Sequence, residues 1–168
     1  MSILLQQLLH EADQCAIFSR AMQARILDQQ TNTATAIKVD GVEIRLIRLP
    51  LLEPFETSFG KVDSRLIFLV CLEANGLTGW GEVVASEEPL YSYETSGTAL
   101  HVIRDFLAPA VVDAPITGLD DLARRLSRFR GHNMAKAGLE LAYMDLLAQS
   151  SGQSLSSLIG GELKRVAV

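Results

Sequence analysis

The sequence predicts an α+β domain: a three-stranded antiparallel meander followed by three to four helices. Three observations carry that expectation. Between Ile37 and Ser86 lie three segments that alternate, or are apolar at nearly every position, separated by short connections. From Tyr93 onward the apolar spacing becomes helical and stays so. Strand-like pattern returns only in "KRVAV" at the end. Runs of strands followed by runs of helices indicate α+β, not alternating β-α units.

The elements follow in order. "SILLQQLLHEADQCAIFSRAMQARILDQQ" spaces Leu4, Leu5, Leu8, Leu9, Ala12, Ile17, Met22 and Ile26 roughly as a helix does. "TNTATA" then reads as a linker, so residues 1–36 form a helical extension, docked or undocked. "VEIRLIRLPL" alternates apolar and charged groups, as a half-buried strand does. "LEPFETSFGKVD" reads as a loop, and its two phenylalanines are aromatic groups a soluble chain usually buries. "SRLIFLVCLEANG" is apolar on both alternating faces, which predicts cover on both. Its "ANG" signals a hairpin turn, and "LTGWGEVVAS" is the third strand.

In "YETSGTALHVIRDFLAPAVV" the helical spacing puts Ala99, Leu100, Ile103, Phe106 and Leu107 on one side, with Thr95 or Ser96 as cap and Pro109 as end or kink. "LDDLARRLSRFRG" turns Leu119, Leu122, Leu126 and Phe129 inward and stops at Gly131. Asn133 opens a third helix, and a short helical turn ends at Gly160 and Gly161.

Composition narrows the function classes. With 168 residues, 48% hydrophobic and 21% charged, the chain can bury a core and is globular. A net charge of −5 disfavours nucleic acid as a partner. No apolar run is long enough to cross a bilayer, and the N-terminal stretch lacks a signal-peptide pattern. Cys15 and Cys71 are therefore expected as reduced thiols of a cytoplasmic protein.

Residue chemistry alone shows no catalytic constellation. His10, His101 and His132 have no partner at metal-ligand spacing. His101 reads as a surface or satisfied histidine, and His132 as a cap or hydrogen-bonding residue after a helix stop. Asp120 and Asp121 read as first-turn charges, and Glu87 and Glu88 as solvated charge. Gly79 and Gly81 around Trp80 permit close backbone approach, and Glu82 beside them reads as structural. Lys136 reads as a surface or stem-packing lysine, lacking a neighbour to tune it.

Five ordered segments resemble a known family: "PLLEPFETSFG", "GLTGWGEVVAS", "EPLYSYET", "FRGHNMAKAGLELAYMDL" and "LIGGELKRVAV". Together they resemble the N-terminal capping domain of the enolase superfamily, and "PFETSFG" with "GHNMAK" is most similar to the o-succinylbenzoate synthase / N-succinylamino acid racemase type, the alternative being the cap of another muconate cycloisomerase or dipeptide epimerase type of enzyme. The resemblance implies a capping domain over residues 37–161 and the start of a first TIM-barrel strand at 162–168. It also implies that the complete enzyme uses magnesium held by barrel carboxylates, and barrel lysines that move the proton alpha to a substrate carboxylate. No cofactor is implied for this chain itself, and no catalytic residue or metal ligand.

The capping loops close over the barrel mouth. By position, Phe55, Thr57, Ser58 and Phe59 would belong to the first loop, Pro54–Gly60. Tyr91 would belong to the second, about Ser86–Tyr91. Phe55 and Tyr91 would line the pocket for the substrate's apolar side chain; the alternative is that Phe55 and Phe59 pack on this domain's own sheet. The implied partners are a small carboxylate substrate, a barrel domain or chain, and further copies in a homo-oligomer. Since Val168 falls a few residues into that barrel strand, the expectation is a fragment, inactive alone, or a module complementing a separate barrel chain.

Overall fold

The structure, a computed structural model, describes residues 36–58, 60–112 and 114–162. The helical extension expected over 1–36 (but for Ala36), together with Cys15, His10, Phe59 and the "KRVAV" strand, lies outside the described residues.

The strands are β1 (Gly41–Thr57), β2 (Gly60–Ala74) and β3 (Leu77–Val83), in spatial order β1-β2-β3 and antiparallel throughout. Asn75 (φ 51) and Gly76 (φ 76) form the β2–β3 turn in the left-handed region, as an Asn-Gly hairpin requires. The helices are α1 (Ser96–Val102), a π-helical turn (Ile103–Leu107), α2 (Ala108–Val111), α3 (Leu119–Leu126), α4 (Asn133–Ser150) and α5 (Leu155–Leu158). Thr35–Gly152 is one compact unit, to which all but α5 belong. By itself, α5 is a single turn capped by the Ser154 hydroxyl, which accepts from Ser157 N–H.

One face of the sheet makes the core. Register aligns Val42–Leu72–Gly79, Ile44–Val70–Gly81 and Leu46–Phe68–Val83 on that face. Phe68, Val70, Leu72 and Val83 are buried there beneath Leu139, Ala142, Tyr143 and Leu146 of α4. Glycine sets how near α4 comes. A Cβ on Gly81 would sit 2.0 Å from Gly138 O, and one on Gly79 would sit 2.2 Å from Ala142 O. The "GWG" and "KAG" triplets are thus two halves of one close contact between helix and strand.

The opposite face differs from expectation. Cys71 is buried, but Ile67 and Leu69 are only half-buried, and among the described residues no helix lies across them. Long side chains provide the cover instead: Arg45 stacks over Trp80 at 5.0 Å and pairs with Glu43 at 2.8 Å.

Three helix expectations also change. Thr95 does cap α1, through a reciprocal capping box with Thr98. The π turn, closed by Ala108 N–H to Ile103 O, adds a residue to the turn ahead of Pro109, which lacks an N–H. That shifts the phase, so Ile103, Leu107 and Val111 are buried and Phe106 is turned out to 46% exposure. Next, α3 ends at Leu126, five residues before the expected stop at Gly131. Asp121 does lie in the first turn of α3, as expected, but the helix dipole is not its main partner. It is buried, accepts from Thr117 N–H and is bound by Arg124 and Arg125. Burial alone would raise its carboxyl, but those hydrogen bonds outweigh burial and hold it at about 2.

Finally, His132 precedes α4 at φ 53 without a side-chain capping bond. The cap is Glu94, 40 residues upstream and buried, whose carboxylate accepts from Met134 N–H (3.0 Å) and Ala135 N–H (3.2 Å). Lys136 donates to Phe129 O, as a stem-packing lysine would.

Candidate functional site: an aromatic hairpin and a neighbouring loop

The candidate site lies at one end of the sheet. β1 ends and β2 begins at the same end at which β3 leaves for the segment 84–95. The expected loop 52–63 is in fact mostly strand. β1 runs to Thr57, which pairs with Gly60. Two prolines explain why the sequence reads as loop. Pro50, paired with Ser64, borders the register shift between Pro50 and Phe55, and Pro54 lies inside it, where a missing N–H leaves no ladder bond unmade. The paired hairpin therefore carries its tip beyond the part of the sheet that α4 covers.

Phe55 stands opposite Val62 and is 51% exposed. Its ring is not packed on the core; the Arg65 guanidinium lies over it at 5.4 Å. Thr57 and Ser58 are exposed at the tip, where Thr57 Oγ1 donates to Gly60 O at 3.3 Å. Nearby, Leu52 is fully exposed and Val62 is exposed.

The second loop is closed at its base. Ser96 N–H donates to Ser86 O at 2.8 Å, and Ser96 Oγ donates to Ala85 O at 2.9 Å. Residues 86–91 are exposed, Leu90 at 54% and Tyr91 at 81%. Tyr93 turns the other way, and its hydroxyl accepts from His132 N–H.

Arg48 on β1 joins the two segments. It makes a bidentate ion pair with Glu87, at 2.9 and 2.7 Å, and Nη1 reaches Ser64 Oγ at 3.4 Å. Arg48's hydrogen bonds hold the Glu87 carboxyl below its usual range. Glu87 is therefore not the freely solvated charge its sequence suggests. Nothing local signals the pair, since 39 residues separate its members.

This end of the domain offers exposed apolar and aromatic groups beside exposed ionisable ones, among them Glu53, Glu56, Lys61, Asp63, Arg65, Glu87 and Glu88. It can contact an apolar group and exclude water. Among the described residues no three His, Cys, Asp or Glu side chains converge to hold a metal ion. No described helix is long and apolar enough to cross a membrane.

Residues 41–160 match the family described as the mandelate racemase / muconate lactonizing enzyme N-terminal domain. The chain belongs to this family. Over 134 residues it is 41% identical to an o-succinylbenzoate synthase of Geobacillus stearothermophilus, covering 79% of this chain and 36% of that protein. It is 38% identical over 132 residues to an N-succinylamino acid racemase of Thermus thermophilus, covering 79% and 36%. An enolase-superfamily protein of Listeria innocua superposes with a TM-score of 0.73 at 31% identity, covering 76% of this chain and 34% of the other. Muconate lactonizing enzyme from Pseudomonas fluorescens shares the fold at 24% identity and a TM-score of 0.72. The chain thus spans about a third of the length of the curated relatives it matches. The α+β architecture and the superfamily expected from the sequence both hold.

Proposed function

We propose that this chain is the substrate-selecting cap of an enzyme of the o-succinylbenzoate synthase / N-succinylamino acid racemase type. The cap would serve a barrel that abstracts the proton alpha to a carboxylate. One observation supports the reading most: the exposed aromatic residues Phe55 and Tyr91 stand on two segments at one end of the sheet, which Arg48 and Glu87 tie together.

A TIM barrel takes about 250 residues, more than this stretch provides, so the barrel is supplied by further residues or by another chain. In that barrel a magnesium ion would stabilise the charge that develops on the substrate carboxylate. This chain's own residues do other work. Phe55 and Tyr91 contact the substrate's apolar side chain, and Thr57, Ser58 and Phe59 complete the lid edge. Closing the two segments over the mouth removes water from the reacting carbon.

The test is a chimera. Residues 41–160 replace the matching stretch of the Geobacillus stearothermophilus synthase, and kcat/KM is measured for substrates differing in the apolar side chain. Phe55→Ala and Tyr91→Ala are expected to flatten discrimination among those side chains. An active chimera whose discrimination ignores both substitutions would refute the assignment. Activity on mixing the intact chain with a separate barrel would identify a complementing module.

A further inference from the structure

We propose that β1 is an interface: two copies of this chain pair edge to edge, antiparallel, across a two-fold axis at Ile44. The inference stands apart from the capping role, since it uses neither lid segment.

β1 is an outer strand whose only ladder partner among the described residues is β2. Every other residue along its free side offers N–H and C=O groups for pairing. Soluble proteins blunt such edges with lysine, proline, bulges or short strands. From Gly41 to Leu49, β1 has no lysine, proline or bulge, and its charged side chains are Glu43, Arg45 and Arg48; its irregularity begins only at Pro50. The core-side row of β1 also stays poorly covered. Val42 and Ile44 are half-buried, and Leu46 is 57% exposed although its neighbour Phe68 is fully packed.

Charge selects one partner and one register. Glu43 and Arg45 lie on the other face of β1, two residues apart, each about half exposed. A two-fold axis through Ile44 sets Glu43 opposite Arg45 of the second copy, and Arg45 opposite Glu43 of the second copy. It also sets Val42 opposite Leu46 and Gly41 opposite Ile47. Apolar groups then meet apolar groups on the core side, and opposite charges meet on the other face. Moving the axis one residue sets Glu43 against itself or Arg45 against itself, and like charges directly opposite are unfavourable. The strand is therefore complementary to its own copy in this register. The product is a six-stranded sheet with both α4 helices on one face.

Sedimentation of the full chain tests this, and the wild-type chain is expected to run as a dimer. Glu43→Arg alone places four basic side chains at the axis, and Arg45→Glu alone places four acidic ones. Each variant is expected to run as a folded monomer by circular dichroism. Mixed together they restore complementarity and are expected to run as a heterodimer. Ile44→Cys provides a second readout: mild oxidation should link two copies covalently, because directly opposed residues bring their Cα atoms within disulfide range. A monomeric wild-type chain, single variants that remain dimeric, a mixture that stays monomeric, or a dimer that Ile44→Cys fails to link would each overturn the proposal.

Discussion

Substituting Gly81 by Ala probes the contact on which the sheet–helix layer depends. The added Cβ would lie 2.0 Å from Gly138 O and 2.8 Å from Ala142 N, both backbone atoms of α4. No side chain can rotate away, so the strand and helix must part by about 1.4 Å to restore an ordinary contact near 3.4 Å. That separation loosens Leu139, Ala142 and Leu146 against Phe68, Val70 and Val83, all of which are fully packed. Overpacking of this kind costs about 3 kcal/mol. For a domain of this size that corresponds to a fall of about 10 °C in melting temperature. Gly138→Ala is the informative comparison. Its Cβ would approach the Val83 side chain at 2.4 Å, and a methyl can shift, so the loss should be smaller. Gly97→Ala is the control, since its Cβ meets only Thr95 Oγ1, at 3.8 Å. Thermal melting of the three variants checks the ranking. If Gly81→Ala melts with the Gly97→Ala control, the close approach of α4 to β3 is not what fixes this layer.

Other outcomes follow from the same contacts. Glu94→Ala leaves the Met134 and Ala135 N–H groups without their buried acceptor, and should cost about 2 kcal/mol in denaturant titration. Asp121 is held at about 2 in the folded chain, below the ordinary carboxylate value. Its contribution is thus fully present above about pH 4 and disappears as pH falls toward 2; the acid limb of Asp121→Asn should be shallower than that of the wild-type chain over that window. Phe55→Ala and Tyr91→Ala should change stability by less than about 0.5–1 kcal/mol, because both rings are exposed. Arg48→Ala should alter global stability by less than about 1 kcal/mol, yet speed proteolysis within 86–95 by freeing that loop from β1.

Periodicity alone made the order of strands and helices legible, because an amphipathic element records its buried face in its own spacing. The Asn75–Gly76 turn was readable for a similar local reason: few residues adopt a positive φ. Gly79 and Gly81 announced a close approach, but not that Gly138 would face them. Phe55 and Tyr91 were expected in a lid only through resemblance, and the structure shows both exposed.

What tertiary structure alone decided are the pairings between distant residues. Glu94 caps a helix 40 residues away, Glu87 binds Arg48 across 39, and Asp121 gathers a backbone N–H and two arginines in a buried place. In sequence each carboxylate looks like any solvated charge, because its one-dimensional neighbours carry no record of its three-dimensional partner. The sequence by itself determined which faces are apolar and where the backbone must turn. Only the packed chain could choose which charges meet, since electrostatic partners are set by distance in space and by local burial.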